Sequence, residues 1–358
     1  MKALTRLLLV LFVGGTACAV EPIAPPAVPV PVVRPGQIAA KPLFRDPVFD
    51  GAADPTLIWN RAEKKWFMFY TNRRANVPGL TAVTWVHGTP IGIAESADGA
   101  TWSYRGTVDF PQDIPNTAGT PTFWAPAVVY DQGVYHMFVV VVPGIFTDWN
   151  HPRNIVHVTS PDLKKWKYEG TLPLVTDKVI DPCVLRLPDG TWRMWYNNER
   201  AGKSTFYADS PDLYRWTDRG SAHLPRDRGE APVAFFWQGH YWLLIDLLGN
   251  NGLGAYKSDD ALTWTRQPAS LLATPGTGKD DQNGGHHPEV ILSGERAFLF
   301  YFVHPGVAAD SGAPDHKRSS IQVVELAYRD GWLTCDRDQP THIQLLPPDE
   351  SRKTPESR

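Results

Sequence analysis

The sequence predicts an all-β fold, a five-bladed β-propeller with four-stranded antiparallel blades around a central axis. Three observations carry this. An apolar strand opened by a proline and followed, after a polar gap, by an aromatic strand occurs five times, at Pro55, Pro126, Pro182, Pro232 and Pro288. These prolines are 71, 56, 50 and 56 residues apart, a period that marks repeat architectures. A second motif runs in phase with the first: Ser96-Ala97-Asp98-Gly99 before Trp102, Ser160-Pro161-Asp162 before Trp166, and Ser210-Pro211-Asp212 before Trp216. Ser258-Asp259-Asp260 before Trp264 is a looser copy, and Asp330-Gly331-Trp332 a degenerate one. Finally, no segment shows a convincing 3.6-residue period. A two-sheet sandwich would not repeat two motifs in phase.

Taken in order, Lys2 and Arg6, apolar Leu7 to Val13 and small residues ending in Ala17-Cys18-Ala19 read as a secretory signal over residues 1–19, too short to remain as a membrane span. Cleavage after Ala19 gives soluble export; cleavage before Cys18 gives a lipid anchor. Gly15, standing where a lipoprotein signal usually carries Leu, favours soluble export to the periplasm or medium. Residues 20–42 are mostly Pro, Val and Ala, a semi-rigid polyproline spacer. The propeller is expected over 43–346, and a polar disordered tail over 347–358.

Within the propeller each blade begins with its Pro-led inner strand: Ala53–Trp59, Ala125–Val129, Asp181–Leu185, Ala231–Phe235 and His287–Ile291. The aromatic second strands follow at Trp66–Tyr70, Tyr135–Phe138, Trp192–Tyr196, Tyr241–Leu244 and Ala297–Tyr301. Third strands such as Ile91–Ala94 and Ile155–Val158 lead into the Ser-x-Asp turn, where Pro presets φ and Asp caps its own backbone. The Trp then opens the outer strand.

Composition narrows the function classes. The 358 residues are 42% hydrophobic and include 14 Trp, enough for a sizeable core, and clustered indoles serve either core filling or sugar platforms. A net charge of −3 without a long basic run excludes a nucleic-acid partner, which needs a concentrated Lys/Arg face. Outside the signal only Cys183 and Cys335 remain, so this is no disulfide scaffold, and Cys183 reads as a buried free thiol.

Inner strands run along a propeller's axis, so the residues at or just before each Pro form a ring: Asp54, Trp124-Ala125, Asp181, Glu230-Ala231 and His286-His287. One Asp before Pro is an ordinary turn residue. Three carboxylates at the same point of three repeats repel one another, which pushes their pKa values apart. An ionised and a protonated carboxyl side by side supply the base and acid of glycosidic bond cleavage.

These residues resemble glycoside hydrolase family 43, over roughly Phe44 to Asp338. The resemblance implies inverting hydrolysis of arabinose-, xylose- or galactose-containing saccharides, with Asp54 as general base, Asp181 tuning and orienting the acid, Glu230 as general acid, and no cofactor for the chemistry. Trp124-Ala125-Pro126 is similar to the family's Trp-Ala-Pro element beside the sugar. Gly285-His286-His287 is similar to its Gly-His element near an axial ion, often calcium. This implies His286 near calcium, through water, and His287 toward substrate. Pro288-Glu289 departs from the pattern and adds a fourth acid near the site. Families 32 and 68 share the acid order but carry Asn-Asp-Pro-Asn-Gly, which Ala53-Asp54-Pro55-Thr56 lacks. Family 117, acting on agar fragments, is also similar, and there a His does the acid work, a role open here to His286 or His287.

Several further expectations follow. Adjacent His residues on a regular strand point to opposite faces, so at most one of the pair should face the axis, and too few His converge for zinc. Trp85-Val86-His87 in the first blade's long connection should wall the pocket, with Trp85 or His87 toward substrate. Asn197, opening Asn197-Asn198-Glu199-Arg200, and Arg73-Arg74 are read as rim contacts to sugar rather than catalytic groups. Lys279-Asp280-Asp281-Gln282-Asn283 reads as a solvated turn or as oxygens for calcium. The sequence thus points to an exported glycoside hydrolase acting on plant or algal saccharides, with a carbohydrate-binding propeller lacking turnover as the rival.

Overall fold

The computed structural model describes residues 36–225, 228–249, 251–306 and 317–348. The expected signal with Cys18, the spacer up to residue 35 and the tail from residue 349 lie outside the described residues. Among the described residues no helix is long and apolar enough to cross a membrane.

β1 (Gln37–Ile38) lies where the spacer was expected to continue, but it pairs antiparallel with β22 (His342–Ile343), so the spacer gives way to the folded body by Gln37. Blade 1 comprises β2 (Ala52–Asn60), β3 (Lys65–Asn72), β4 (Ile91–Ser96) and β5 (Ser103–Thr107). Blade 2 comprises β6 (Thr122–Asp131), β7 (Val134–Val142), β8 (Asn154–Ser160) and β9 (Lys167–Thr171). Blade 3 is β10 (Val179–Arg186), β11 (Trp192–Asn198), β12 (Ser204–Ser210) and β13 (Thr217–Ser221). Blade 4 is β14 (Gly229–Trp237), β15 (His240–Leu247), β16 (Leu253–Ser258) and β17 (Thr265–Arg266). Blade 5 is β18 (His286–Ser293), β19 (Arg296–Val303), β20 (Ser320–Arg329) and β21 (Trp332–Thr334). In every blade the strands pair antiparallel in chain order, giving the five-bladed propeller that the repeats predicted.

The core lies between blades. One apolar cluster joins blades 5 and 1, and the others join 1 with 2, 2 with 3, 3 with 4, and 4 with 5. The second sequence motif supplies these joints: Trp102, Trp166, Trp216, Trp264 and Trp332 each pack into the cluster shared with the preceding blade. Its turn holds itself, since Asp162 Oδ1 accepts from the Lys164 and Lys165 amides at 2.9 and 3.0 Å, and Asp212 and Asp260 do the same.

The first motif builds something the alternation rule does not foresee. Every inner strand slips register at its proline, between Ala53 and Thr56, Trp124 and Ala127, Ile180 and Cys183, Glu230 and Val233, and His286 and Glu289. Proline brings no N–H to the ladder and is tolerated at such bulges. The residue before it takes a left-handed backbone in all five blades, with φ of 52° at Asp54, 42° at Ala125, 59° at Asp181, 51° at Ala231 and 39° at His287. This conformation costs a non-glycine residue about 1–2 kcal/mol, and such strain gathers at functional sites. In three blades a side chain of the preceding blade accepts the hydrogen bond of this residue's amide. Ala125 N donates to Thr71 Oγ1 at 2.8 Å, Ala231 N to Asp181 Oδ2 at 2.9 Å, and His287 N to Asp246 Oδ2 at 3.2 Å.

Candidate active site

The five bulges open into one cleft of about 630 Å³. Because a bulge breaks the two-residue alternation, the residue before the proline and the one preceding it can both face the same space. Ile180 with Asp181 and His286 with His287 do so, which corrects the expectation that only one His of the pair faces the axis. Asp54, Asp181, Glu230 and Trp124 line the same cleft, as does Trp85 from the connection between β3 and β4.

Asp54 is almost wholly buried, and burial alone would raise its pKa. Arg73 Nη2 overrides this by donating to both carboxylate oxygens, at 3.0 and 3.3 Å, and His287 Nδ1 stands 3.3 Å from Oδ1. The result holds the carboxyl below the usual range, so Asp54 is ionised across the neutral region. Burial opposes charge on His287 too, yet Asp54, Asp181 and Asp246 outweigh it and push the imidazole up to about 9. Asp181 goes the other way. Burial pushes it up to about 7, His287 opposes, and the like charges of Glu230 and Asp54 add to the rise. The cleft therefore holds an ionised carboxylate and a carboxyl that exchanges its proton near neutrality.

Glu230 is half-exposed, and its Oε2 touches the ammonium of Lys203, which lies just before β12. Burial disfavours charge on Lys203, but Glu230 and Glu199 keep it an ammonium. Glu199 is raised by burial against the pull of Arg153. Its Oε2 lies 2.5 Å from Arg153 Nε, an ionic contact without the alignment of a hydrogen bond. Arg73 also reaches His304, whose Nδ1 donates to the Arg318 carbonyl at 2.9 Å. Nε2 is left as the acceptor for Arg73 Nη1 at 3.3 Å, since a guanidinium only donates. Burial and then Arg73 push His304 down to about 3.

Other expected residues fall elsewhere. His87 is fully buried behind the wall, with Nε2 2.9 Å from His151 Nε2 and Nδ1 donating to the Val83 carbonyl at 2.9 Å. Asn197 is fully buried on β11 outside the cleft lining, and neither amide atom has a hydrogen-bond partner. Its neighbour Glu199, in a one-turn 3-10 helix (Glu199–Ala201) capped by Asn198, reaches the cleft instead. Glu289 bonds Thr56 away from the cleft lining and is pushed up to about 8 by burial. Glu289, Thr56 and Cys183 share the position after the proline in their inner strands, so the fourth acid lies beyond the bulge. Cys183 and Cys335 are free thiols. Asp280 and Asp281 are neither solvated nor gathered for calcium: Arg318 clasps Asp280 at 2.5 and 2.7 Å, while Lys41, at 2.6 Å, and Arg337 hold Asp281.

Among the described residues no three His, Cys, Asp or Glu side chains converge as metal ligands. His286 Nδ1 faces Asp246 at 3.1 Å, so the donor set expected for calcium at His286 is not assembled among the described residues. Asp246, Lys203, Arg153, Lys178, Trp149 and His304 are cleft residues that sequence reasoning missed, whereas Glu199 lay in the stretch read as a sugar rim. Asp246 did leave a signal, a lone acid in the apolar strand Tyr241-Trp242-Leu243-Leu244-Ile245. It is paired in register with Glu230.

No protein-family model and no curated relative matches the sequence. Solved structures do share the fold. A thermostable family-43 glycoside hydrolase is 17% identical with a TM-score of 0.59, over 86% of this chain and 100% of that one. A family-43 β-1,3-galactosidase bound to galactodeoxynojirimycin is 14% identical with a TM-score of 0.60, again over 86% and 100%. A GH43_1 enzyme from Xanthomonas citri complexed with xylose is 16% identical with a TM-score of 0.59, over 85% and 93%.

Proposed function

We propose that the chain is an exported glycoside hydrolase that cleaves oligosaccharides derived from plant or algal polysaccharides, with inversion at the anomeric carbon. One observation carries the reading: the pre-proline steps of blades 1, 3 and 4 bring Asp54, Asp181 and Glu230 into one cleft, in a fold shared with family-43 enzymes. Export rests on the pattern from Lys2 to Ala19.

In this reading Asp54, kept ionised and oriented by Arg73, takes the proton of a water attacking the anomeric carbon. Glu230 gives a proton to the departing oxygen, which completes an inverting displacement. Its ion pair with Lys203 has to open and its carboxylate has to take up a proton from solvent first, so the free protein is in a resting arrangement. Asp181 accepts the Ala231 amide next to Glu230, bracing the acid's backbone while exchanging its own proton near neutral pH.

Asp54→Asn and Glu230→Gln are each expected to lower kcat on the order of 10²–10⁴. Asp181→Asn should lower it and also remove a pH-rate inflection near 7. The deciding measurement is product analysis over arabinan, xylan, galactan, agar and carrageenan oligosaccharides, with the product anomer read by NMR. Binding without products from any of them would leave a carbohydrate-binding propeller.

A second reading has its own support. His287 carries a proton up to about pH 9 beside Asp54, while Glu230 is engaged by Lys203, an arrangement suited to the His-as-acid scheme of family 117. If Glu230→Gln keeps full activity while His287→Gln abolishes it, the acid is His287.

A further inference from the structure

The wall of the cleft built by blade 3 and the connection 143–153 carries a cation, Lys178, that the chemistry does not use. Arg153, Lys178 and Lys203 line it, and the carboxyls of Glu199, Glu230 and Asp181 act on Arg153 and Lys203. Arg153 faces Glu199 and Lys203 faces Glu230, while Lys178 is half-buried, makes no salt bridge among the described residues and acts on Glu199 only through its field. The backbone forces Lys178 beside Arg153. The two residues form a parallel bridge in which Arg153 N donates to the Asp177 carbonyl at 2.8 Å and Val179 N to the Arg153 carbonyl at 3.2 Å. Both side chains line the cleft, where an anion would be attracted to each. The same field is felt by His151, pushed down to about 4 by burial and then by Arg153, with a contribution from Lys178. Next to these cations Trp149 leaves half its surface exposed and lines the cleft, with Arg153 Nη2 donating to its carbonyl at 2.8 Å. An open indole beside a cation suits a sugar ring that carries a negative group.

We propose that this wall binds an acidic saccharide unit, its carboxylate or sulfate ester paired with Lys178 and its ring face on Trp149, next to the unit held among Asp54, Asp181 and Glu230. The inference deepens the glycosidase reading and rests on it. It makes Lys178 a specificity-determining residue and defines the substrate class by charge.

The test is calorimetric binding to the full chain carrying Asp54→Asn, with kcat/KM of the native protein as the second measurement. The probes are matched pairs: xylotriose against the same oligosaccharide bearing a glucuronic acid branch, and a neutral galactan oligosaccharide against its sulfated counterpart. At low ionic strength one acidic member is expected to bind about tenfold more tightly than its neutral partner, the size of a single charge-assisted contact. Which pair shows the preference identifies carboxylate or sulfate. The preference should shrink as salt is added, fall to about one in Lys178→Met, and persist in Lys178→Arg. Equal affinity within both pairs, or a preference that survives Lys178→Met, overturns the inference while leaving the hydrolase intact if neutral oligosaccharides are cleaved. Absence of both binding and turnover for every saccharide overturns the two together.

Discussion

At the scale of single residues the site is an electrostatic arrangement around His287. Its imidazole sits against Asp54 at 3.3 Å, with Asp181 and Asp246 adding to the same field. NMR of the imidazole should show it titrating near pH 9, and Asp54→Asn should move that titration down, because the strongest influence raising it is gone. An unchanged titration would place the cause elsewhere. The linkage to stability follows by sign. A raised His contributes stability fully below its ordinary value of 6.5, and the contribution is lost as pH rises through about 9. Asp181, raised from 3.8 to about 7, likewise contributes at low pH and loses its contribution as pH climbs through 7. Asp54, held low, works in reverse and loses its contribution only in acid. Asp54 and Asp181 were legible in the sequence because they recur at one repeat position. Lys203 and Lys178 were not, because they come from connections where no repeat marks them, and Asp246 was marked only as a lone acid in an apolar second strand.

At the scale of elements, two motifs with different offices make each blade. The Pro-led strand bulges and aims side chains, while the Ser-x-Asp turn and its Trp fasten the blade to the one before. Trp216 shows the second office: its Nε1 donates to the Leu213 carbonyl at 2.7 Å, and its ring meets Phe138 of blade 2 edge-on at 5.4 Å. Trp216→Ala is expected to cost about 3–5 kcal/mol in urea unfolding, the range for a buried large aromatic. Trp149→Ala, at a half-exposed indole, should stay within about 0.5 kcal/mol. Equal losses would mean that the outer Trp does not join blades. The adjacent histidines show where element-level reasoning stops. Alternation holds for a regular strand, but proline and a left-handed residue interrupt it at His287, and both rings enter the cleft.

At the scale of the whole molecule, the ring closes, among the described residues, without a strand exchanged between the first and last blades. The lead-in to blade 1 bridges from Phe44 to Ile321 of β20 and from Gly51 to Ser319 just before it, and β1 pairs with β22. Asp281 ties the same ends together, accepting from Lys41 before blade 1, from Arg337 after blade 5 and from Tyr301 Oη on β19 at 3.1 Å. Removing one partner from such a buried cluster leaves uncompensated charge. Asp281→Ala should therefore cost about 3–5 kcal/mol by denaturant unfolding. Hydrogen exchange should show β1 and β22 losing protection first. A loss no larger than that of a surface substitution would mean the closure does not depend on this cluster.

The sequence by itself determined the propeller, its blade count and the three acids at the ring, because a repeat writes the same structural requirement five times and differences at one position then stand out. Only the tertiary structure decided which neighbours set each charge: Arg73 on Asp54, Lys203 on Glu230, Asp246 under both histidines. It also turned Asp280 and Asp281 from a supposed loop into buried anchors, and kept Asn197 and His87 out of the cleft. The physical reason is range. Backbone periodicity is local and survives in a linear string, whereas burial and ion pairing depend on groups brought together from distant parts of the chain.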